Sequence, residues 1–295
     1  MKDLPGKVAV ITGGGRGVGR GIARALAAEG VKVVVNDVST GDSESAAESV
    51  VAEITSFGGE AVADGHDVST FASSARIIDG AVERFGRIDI LVMCAGNFVA
   101  DRLADLTEER WLSSLAVHLG GHVGCAKAAA QRMTEQGDGG RIVTVASRAA
   151  FSAPMPAYAA AKAGIMGLTS ALAVGLAPSG INVNCLIPSA TTRLFPGDDP
   201  NARTMRGMPA TISLDPDYIA PVVTFLASSE AKDISGRFVY ASGGDICIYT
   251  EPLSLQGGTN AFVRKNGIWT AEELAQVLPS LFGLGAASYF DLKND

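Results

Sequence analysis

The sequence is poor in cysteine and in positive charge, and both shortages narrow the classes of protein to which it can belong. Its four cysteines lie far apart without a CxxC pair, which argues against a disulfide framework and against a metal site, and predicts reduced cytoplasmic thiols. Lysine and arginine number 24 against 31 aspartates and glutamates, a net charge of −7. We therefore expect binding neither to nucleic acid nor to an anionic membrane.

The sequence also shows neither the hydrophobic region of a signal peptide nor an uninterrupted apolar run of transmembrane length. From Met1 a short polar stretch leads straight into a predicted strand at Lys7. What the sequence does contain is an ordinary globular composition, 47% hydrophobic and 19% charged. A chain of 295 residues can bury a sizeable core in one large domain or two modest ones.

A glycine-rich turn near the start of the chain joins a predicted strand to a predicted helix. The strand covers Lys7–Ile11, and the turn covers Thr12–Gly19 with glycines at Gly13, Gly17 and Gly19. Such a turn lets the backbone approach a phosphate closely, and the following helix presents its positive end to that charge. The pattern predicts a dinucleotide-binding turn, and a glycine turn without a ligand is the alternative.

The second predicted strand, Val31–Val35, is followed by an acidic residue, Asp37. An acidic side chain about 20 positions beyond the glycine turn suits a ribose 2′-hydroxyl and repels a 2′-phosphate, which favours NAD over NADP. Arg16 in the glycine turn is a weaker indication in the opposite direction, since a guanidinium can bind a phosphate. The alternative is that Asp37 only caps the next turn.

Strands and helices alternate along the rest of the chain. The remaining predicted strands are Glu60–Asp64, Ile88–Met93, Arg141–Ala146, Ile181–Ile187 and Arg237–Ala241, and the predicted helices are Asp42–Phe57, Ser69–Phe85 (with Ser69 as N-cap), Thr107–Met133, Pro156–Leu176 and Pro216–Ala227. This alternation predicts an α/β fold, a single doubly wound Rossmann-type domain whose seven-stranded, mostly parallel sheet carries helices on both faces. Right-handed crossovers bring the carboxyl ends of the strands to one edge, where a ligand is expected.

We assign residues 1–249 to this domain and residues 250–295 to a C-terminal extension. The connection Ser189–Ser213 is long and polar, which is typical of a binding loop. The extension contains a predicted capping box, Thr270 with Glu273, at the start of a helix. Its apolar residues, among them Trp269, Leu281 and Phe282, predict packing on the domain or on a neighbouring subunit, with Trp269 and Leu281 over the binding loop as one possibility.

A tyrosine and a lysine lie four residues apart, at Tyr158 and Lys162, in a predicted helix. This spacing places both side chains on one face, one turn apart. A neighbouring ammonium favours the phenolate, so the pair predicts proton exchange with an alcohol or a carbonyl oxygen. The alternative is a surface pair on an alanine-rich helix.

Together these motifs resemble the short-chain dehydrogenase/reductase family over about residues 6–245. The resemblance depends on TGGGRGVG at Thr12–Gly19, Asp67-Val68, Ala95-Gly96, Ser147, Tyr158 with Lys162, and Val183-Asn184 before Pro188. Within the family the sequence looks most like the (3R)-hydroxyacyl-CoA dehydrogenase domain of peroxisomal multifunctional enzymes and their bacterial relatives. The strings that suggest this are Val33–Asp37, Val117–Leu119, Pro188–Leu194 and Asp215–Pro221.

The resemblance implies roles for particular residues. Tyr158 would be the acid–base residue, Ser147 would hold the substrate oxygen, and Lys162 would bind the nicotinamide ribose and lower the tyrosine pKa, with His118 as a further member of the catalytic set. The implied cofactor is NAD, the implied assembly is a homotetramer, and no metal is implied. The implied cofactor-binding residues are Gly13, Arg16, Gly17, Val18, Gly19, Asp37, Asp67, Val68, Cys94, Ala95, Gly96, Tyr158, Lys162, Pro188 and Thr191.

The sequence departs from the usual family pattern at several of these positions. Cys94 and His118 each stand where asparagine is usual, although His118 also occurs in the multifunctional-enzyme branch; a structural histidine bonded to a carbonyl is its alternative role. Ser189 replaces a glycine after Pro188. Ser147 precedes Tyr158 by only eleven residues, two fewer than is common, and this leaves Ser152 as a weaker candidate for binding the substrate oxygen.

These observations predict an NAD-dependent dehydrogenase that interconverts a secondary alcohol and a ketone, acting on a 3-hydroxyacyl-CoA or a hydroxysteroid-like substrate. A carbonyl reductase that uses NADPH and a catalytically inactive cofactor-binding relative are the alternatives. A CoA ester is anionic, so its binding predicts cations at the mouth of the pocket. The candidate cations are Arg102, Arg148, Arg193, Arg203 and Arg206. The alternative is that these are ordinary exposed arginines, with Arg193 or Arg148 paired to Asp101 or Asp198.

Overall fold

The computed structural model describes residues 1–38, 45–151, 153–201, 210–249 and 262–281. The strands in these ranges are β1 Val8–Thr12, β2 Lys32–Asn36, β3 Ala61–Asp64, β4 Ile90–Met93, β5 Gly140–Val145, β6 Ile181–Pro188, β7 Phe238–Ser242, β8 Asp245–Tyr249 and β9 Phe262–Arg264. They form one sheet in the order β3-β2-β1-β4-β5-β6-β7-β8-β9. The order reverses between β1 and β4, which is where doubly wound sheets bind ligands.

The predicted fold class is confirmed, but the predicted number of strands is wrong. The first seven strands pair in parallel, as expected. In the described ranges two further strands, β8 and β9, extend the sheet in antiparallel pairing. A tight turn that includes Gly243, with φ of +52°, returns the chain directly from β7 into β8. Because antiparallel strands can be joined by a tight turn, β8 follows β7 without a helix between them, outside the alternation of strands and helices on which the prediction rests.

Helices cover both faces of the sheet. They are α1 Gly17–Ala28, α2 Ala46–Ser56, α3 Phe71–Phe85, α4 Glu108–Leu115, α5 Gly121–Gln136, α6 Pro156–Leu176, α7 Ala220–Ala227 and α8 Ala271–Leu281. The core on one face includes Ile22 and Leu26 of α1, Phe225 of α7 and Leu274 of α8. The core on the other face is built on α3 and α5. Burial on both faces explains why the strands are almost continuously apolar.

Two local predictions differ from the structure, and a third lies partly outside the described residues. The N-cap of α3 is Thr70, whose hydroxyl accepts from the Ser73 amide at 3.2 Å, whereas Ser69 donates to Asp67. The helix α2 is capped by Ser45, and the predicted start at Asp42 lies outside the described residues. The long predicted helix from Thr107 begins as expected, but a π-helical turn at Ala116–Gly120 separates α4 from α5.

Among the described residues, one helical stretch, Pro156–Ser179, is long and apolar enough by composition to cross a membrane. In the fold this stretch buries Ala161, Ile165 and Met166 against the rest of the chain. It also carries Tyr158 and Lys162 in the interior. A core helix of an enzyme meets the same criteria of length and hydropathy, so the finding alone is weak evidence for a membrane span.

The described part of the C-terminal extension packs against its own domain. The capping box is confirmed, because Thr270 and Glu273 exchange side-chain to backbone hydrogen bonds at 3.2 and 2.8 Å. Trp269 is buried, and its indole Nε1 donates to the Gly244 carbonyl at 2.7 Å, which places the ring at the β7–β8 turn. Contact with a neighbouring subunit stays a prediction, and Phe282 and the side chain of Leu281 lie outside the described part.

Candidate active site

The carboxyl ends of the parallel strands surround a cavity of about 970 Å³. All of the predicted catalytic and cofactor-binding residues line this cavity except Thr191. The Thr191 hydroxyl donates instead to the Gly197 carbonyl at 2.6 Å, and its amide donates to Leu214 at 2.7 Å. The neighbouring Thr192 lines the cavity beside Gly17, and cofactor binding by Thr191 stays a prediction.

The glycine turn leaves room where side chains would interfere. A Cβ atom on Gly13 would lie 2.7 Å from the Ala95 amide nitrogen, and one on Gly19 would lie 2.1 Å from the Gly13 carbonyl oxygen. Gly13 and Gly17 also have positive φ angles of +66° and +50°, which L-residues with side chains rarely adopt. The backbone thus forms a close turn at the N-terminus of α1, which is the arrangement that receives a pyrophosphate.

Asp37 lies directly after β2, and its side chain is 9% exposed. One carboxylate oxygen accepts from the Gly15 amide at 3.1 Å, and the other accepts from the Arg16 guanidinium at 2.8 Å. Burial raises the pKa of the Asp37 carboxyl, and the opposing influence of Arg16 and of the Gly15 amide reduces this rise. Arg16 is therefore paired with an acidic side chain within the glycine turn.

Asp67 and Val68 line the wall of the cavity beyond β3. The Asp67 carboxylate accepts from the backbone amide of Ser69 at 2.9 Å and from its hydroxyl at 2.7 Å, which holds the turn before α3. Asn36 connects β2 with this turn, because its amide donates to the Asp64 carboxylate at 2.7 Å and to the His66 carbonyl at 2.8 Å. These bonds keep the wall ordered around the carboxyl end of β2.

Tyr158 and Ser147 meet although different elements carry them. Tyr158 is in the first turn of α6 and is 4% exposed, and Ser147 follows β5. Both side chains line the cavity, and the Ser147 hydroxyl is close enough to the phenol to lower its pKa, so the short segment between them still brings Ser147 to Tyr158. The weaker candidate Ser152 lies outside the described residues. Two hydroxyls in contact can bind one substrate oxygen and transfer a proton to or from it.

Lys162 lies one turn beyond Tyr158, with its Nζ atom 5.7 Å from the centre of the phenol ring. Its ammonium is 4% exposed and donates to the Val145 carbonyl at 2.7 Å. Burial lowers the pKa of Lys162 to about 8. Burial also raises the pKa of Tyr158 to about 12, which is opposite in direction to the effect predicted for Lys162. Loss of hydration outweighs the opposing influence of the Ser147 hydroxyl, because the phenol is removed from water.

His118 reaches the site because the helix widens at the π-turn. Its ring is 1% exposed and meets the Tyr158 ring edge to face, with 5.1 Å between the ring centres. The Nε2 atom lies 2.8 Å from the Asn97 carbonyl oxygen and must therefore carry the hydrogen. The Nδ1 atom is buried and has no hydrogen-bond partner in the described part of the chain. The hydrogen bond to a backbone carbonyl, expected for a structural role of His118, is therefore present. The unpartnered Nδ1 atom of the same ring is an acceptor at the wall of the cavity.

The comparisons with known proteins agree with this geometry. A family model described as short chain dehydrogenase matches residues 7–195. The chain belongs to the short-chain dehydrogenase/reductase family.

It is 34% identical to an L-rhamnose 1-dehydrogenase (NAD(P)(+)) of Azotobacter vinelandii, over 81% of this chain and 96% of that protein. It is 36% identical to the peroxisomal multifunctional enzyme type 2 of Drosophila melanogaster, over 88% of this chain and 42% of that longer protein. A short chain dehydrogenase from Burkholderia cenocepacia, solved in complex with NADP, is 35% identical with a TM-score of 0.72, covering 81% of this chain and 97% of that one. These relatives establish an oxidoreductase of this family, and the NAD(P) and NADP named for two of them do not distinguish between the two cofactors for this chain.

For this short-chain dehydrogenase, side chains from the loops after β4, β5 and β6, the segments expected from the sequence to shape the pocket, close the cavity above Tyr158. Phe195, from the loop after β6, meets the Tyr158 ring with 5.7 Å between centres, and Phe98 meets Phe195 at 5.4 Å. Leu194 and Met155 complete the apolar wall. These side chains come from irregular segments, which have no periodicity from which an inward direction could be predicted.

The predicted cations divide into three groups. Arg148 and Arg193 line the cavity. Arg102 borders an adjoining open groove that shares Ala153 and Met155 with the cavity. Arg203 and Arg206 lie outside the described residues.

Proposed function

We propose that this enzyme uses NAD to interconvert a secondary alcohol and a ketone, on an apolar substrate of the 3-hydroxyacyl-CoA or hydroxysteroid-like type. The observation that carries the proposal is the contact of Ser147, Tyr158 and Lys162 at one end of a cavity whose other end holds Asp37. Ser147, Tyr158 and Lys162 supply the proton chemistry of alcohol oxidation. Asp37 selects the cofactor.

In the oxidation direction, the Tyr158 phenolate accepts the hydroxyl proton of the substrate while the carbinol carbon loses a hydride and becomes a carbonyl. NAD held in the cavity would supply the hydride acceptor and a positive charge near the phenol. Ser147 orients the substrate oxygen by a hydrogen bond. Lys162 holds an ammonium beside the phenol and favours its ionised form, although burial of Tyr158 raises its pKa to about 12 in the chain alone. Reduction of the ketone is the reverse of these steps.

The residues present fit a dinucleotide. The close turn at Gly13 and Gly19 has no room for a Cβ atom and offers backbone to a pyrophosphate. Asp37 would bind the 2′-hydroxyl of the adenosine ribose, and Lys162 would bind the nicotinamide ribose. Arg16 donates to Asp37 at 2.8 Å, and this pairing leaves the guanidinium less suited to a 2′-phosphate, which supports NAD.

The substrate class is supported by the side chains around Tyr158. Phe98, Phe195, Leu194 and Met155 form an apolar wall at the catalytic end of the cavity, and such a wall suits an acyl chain or a ring system better than a sugar. Arg148 and Arg193 line the same cavity and suit the phosphates of a CoA ester, as does Arg102 at its edge. The likeness to a peroxisomal multifunctional enzyme supports the same class.

Replacement of the catalytic tyrosine tests the proton chemistry. Tyr158→Phe keeps the ring that packs against His118 and Phe195 and removes the only group of that side chain that exchanges a proton. We expect kcat to fall at least about 100-fold, within the usual contribution of general acid–base catalysis, while NADH binds nearly as well as before. Fluorescence titration with NADH supplies the binding control. A variant with more than a tenth of the parent kcat would contradict the assignment.

A pair of matched substrates tests the thioester. One is a 3-hydroxyacyl-CoA, and the other carries the same acyl group on N-acetylcysteamine, which has no phosphates. If Arg148 and Arg193 bind the CoA phosphates, the KM of the CoA ester rises with ionic strength and that of the truncated ester does not, since salt screens exposed charges over about 10 Å. Faster turnover of a neutral hydroxysteroid would favour the steroid-like substrate, and faster ketone reduction with NADPH would contradict the proposal.

The proposal includes a homotetramer, which rests on resemblance to the family. Light scattering of the purified enzyme at several concentrations measures its mass. The chain mass is 30.2 kDa, so a stable species of one or two chains would contradict the tetramer.

A further inference from the structure

A second buried histidine lies behind the catalytic residues. His122 is in the first turn of α5, four residues after His118, and is 2% exposed. Its Nδ1 atom lies 2.6 Å from the His118 carbonyl oxygen, and its Nε2 atom lies 3.2 Å from the Val145 amide nitrogen. Both ring nitrogens therefore have backbone partners, which is a complete set of hydrogen bonds for an imidazole.

These partners define the tautomer of His122. The Val145 amide can only donate, and it shares its hydrogen between the Met93 carbonyl in the β4–β5 ladder and Nε2 of His122, so Nε2 is the acceptor in this contact. The His118 carbonyl can only accept, so Nδ1 carries the hydrogen and donates. A ring that donates once and accepts once is neutral, and burial lowers the pKa of His122 well below its ordinary value. The titratable groups that face it are His118, on the adjoining π-turn, and Lys162 on α6.

The same peptide segment connects His122 with the catalytic lysine. Val145 donates its amide hydrogen to His122 and accepts the Lys162 ammonium on its carbonyl at 2.7 Å. On its other side His122 holds the carbonyl of His118, whose ring packs against Tyr158. One imidazole thus connects the strand that receives Lys162 with the helical turn that supports Tyr158.

We propose that His122 is a positioning residue of the dehydrogenase, which holds the acceptor of Lys162 and the support of Tyr158 in register through two hydrogen bonds. The inference rests on the proposed proton chemistry of Tyr158 and Lys162. His122 does not line the cavity and touches no reacting atom. Loss of either bond shifts one of the two partners, and displacements of about 1 Å in an active site cost up to about 100-fold in rate.

Two substitutions separate the two bonds. His122→Asn keeps an amide nitrogen where Nδ1 donates to His118 and loses the acceptor for Val145. His122→Gln places an amide oxygen near Nε2 to accept from Val145 and loses the donor to His118. His122→Leu removes both bonds. Met133→Leu, at a fully buried position at the other end of α5, is the control for general destabilisation of that helix.

The readouts are kcat, the dependence of kcat on pH, and the NADH dissociation constant, each measured on folded enzyme. We expect kcat to fall about 10-fold in the two single-bond variants and about 100-fold in His122→Leu. In His122→Asn, a displaced Val145 carbonyl stabilises the Lys162 ammonium less, and the ammonium then favours the Tyr158 phenolate less. The pKa of Tyr158 therefore rises, and the acidic limb of the pH profile moves to higher pH. In His122→Gln this limb does not move. Met133→Leu changes the melting temperature alone.

A spectrum of the histidine side chains provides a test that does not depend on folding of a variant. The chain has three histidines, so their ¹⁵N signals can be assigned by replacing each in turn. We expect His122 with hydrogen on Nδ1 and His118 with hydrogen on Nε2, both unchanged between pH 8 and about pH 5.5. A His122 that protonates in this range, or that carries its hydrogen on Nε2, would overturn the inference.

Kinetics would overturn it as well if kcat and the pH profile of His122→Leu stayed within twofold of the parent. Tyr158→Phe, assayed beside these variants, separates the two proposals. An inactive Tyr158→Phe with fully active His122 variants contradicts the role of His122 alone. An active Tyr158→Phe contradicts the proton chemistry on which that role rests.

Discussion

The preference for NAD depends on one carboxylate, and Asp37→Asn tests it at nearly constant shape. The asparagine amide oxygen can still accept from the Gly15 amide, as the carboxylate does at 3.1 Å, and from a ribose hydroxyl. The substitution removes the negative charge and leaves Arg16 without the partner that it holds at 2.8 Å. A free guanidinium beside the ribose is suited to a 2′-phosphate.

The expected size of the effect follows from the charges. At an effective dielectric constant of about 20, two unit charges about 5 Å apart repel by about 3 kcal/mol. The guanidinium of Arg16 cancels part of this repulsion, so we expect Asp37 to disfavour NADP by about 2 kcal/mol, or about 30-fold in kcat/KM. Asp37→Asn should bring the NAD to NADP ratio to about 1 or below, since the repulsion is lost and Arg16 is released.

The assay is kcat/KM for both cofactors at a fixed saturating substrate concentration. Asp37→Asn/Arg16→Gln removes the released cation as well, and its ratio should lie between those of the parent and the single variant. Asp79→Asn changes the net charge equally on the surface, where Asp79 pairs with Arg132, and should leave the ratio unchanged. A ratio that is the same in the parent and in Asp37→Asn would show that Asp37 does not discriminate between the cofactors.

Two further predictions concern stability. Burial lowers the pKa of His118 to about 3 and that of His122 well below its ordinary value, so the unfolded chain gains protons near pH 6.5 that the folded chain does not. When the pH falls from 7 to 5.5, each imidazole should lower the unfolding free energy by about 1.3 kcal/mol, and His118→Asn should remove about half of the combined loss. The same pH dependence of the unfolding free energy in the parent and in His118→Asn, measured by urea titration, would refute this. Trp269→Phe should lower the unfolding free energy by about 1–2 kcal/mol, because the Gly244 carbonyl loses its 2.7 Å donor. The control Trp111→Phe on half-buried α4 should cost less, and equal losses in the two variants would contradict the role of this bond.

Several features of the site were predictable from the sequence because they depend on local spacing. Tyr158 and Lys162 share a face since residues four apart on a helix always do. Asp37 and the glycine turn meet because a strand, a turn and a helix of ordinary length bring them to the same edge of a parallel sheet. The cavity lining confirms this edge, and the roles of the residues stay proposals.

Other features depend on how distant segments pack. The sequence of Thr107–Met133 reads as one helix, and only the contacts of the fold reveal the π-turn that directs His118 into the site. Thr192 lines the cavity and Thr191 does not, because Thr191 forms hydrogen bonds to Leu214 and Gly197 across the loop. Neither outcome can be read from a periodic pattern, because irregular backbone has no repeat from which a direction follows.

The direction of the Tyr158 pKa was also decided by the tertiary structure. Sequence proximity to Lys162 predicts a lower pKa, whereas burial raises it to about 12. A helix brings two groups together whatever surrounds it, but loss of hydration depends on every neighbouring segment that covers them. The sequence by itself therefore determined which groups meet, and the packing of α5, α6 and the loop after β6 determined how strongly each one holds its proton.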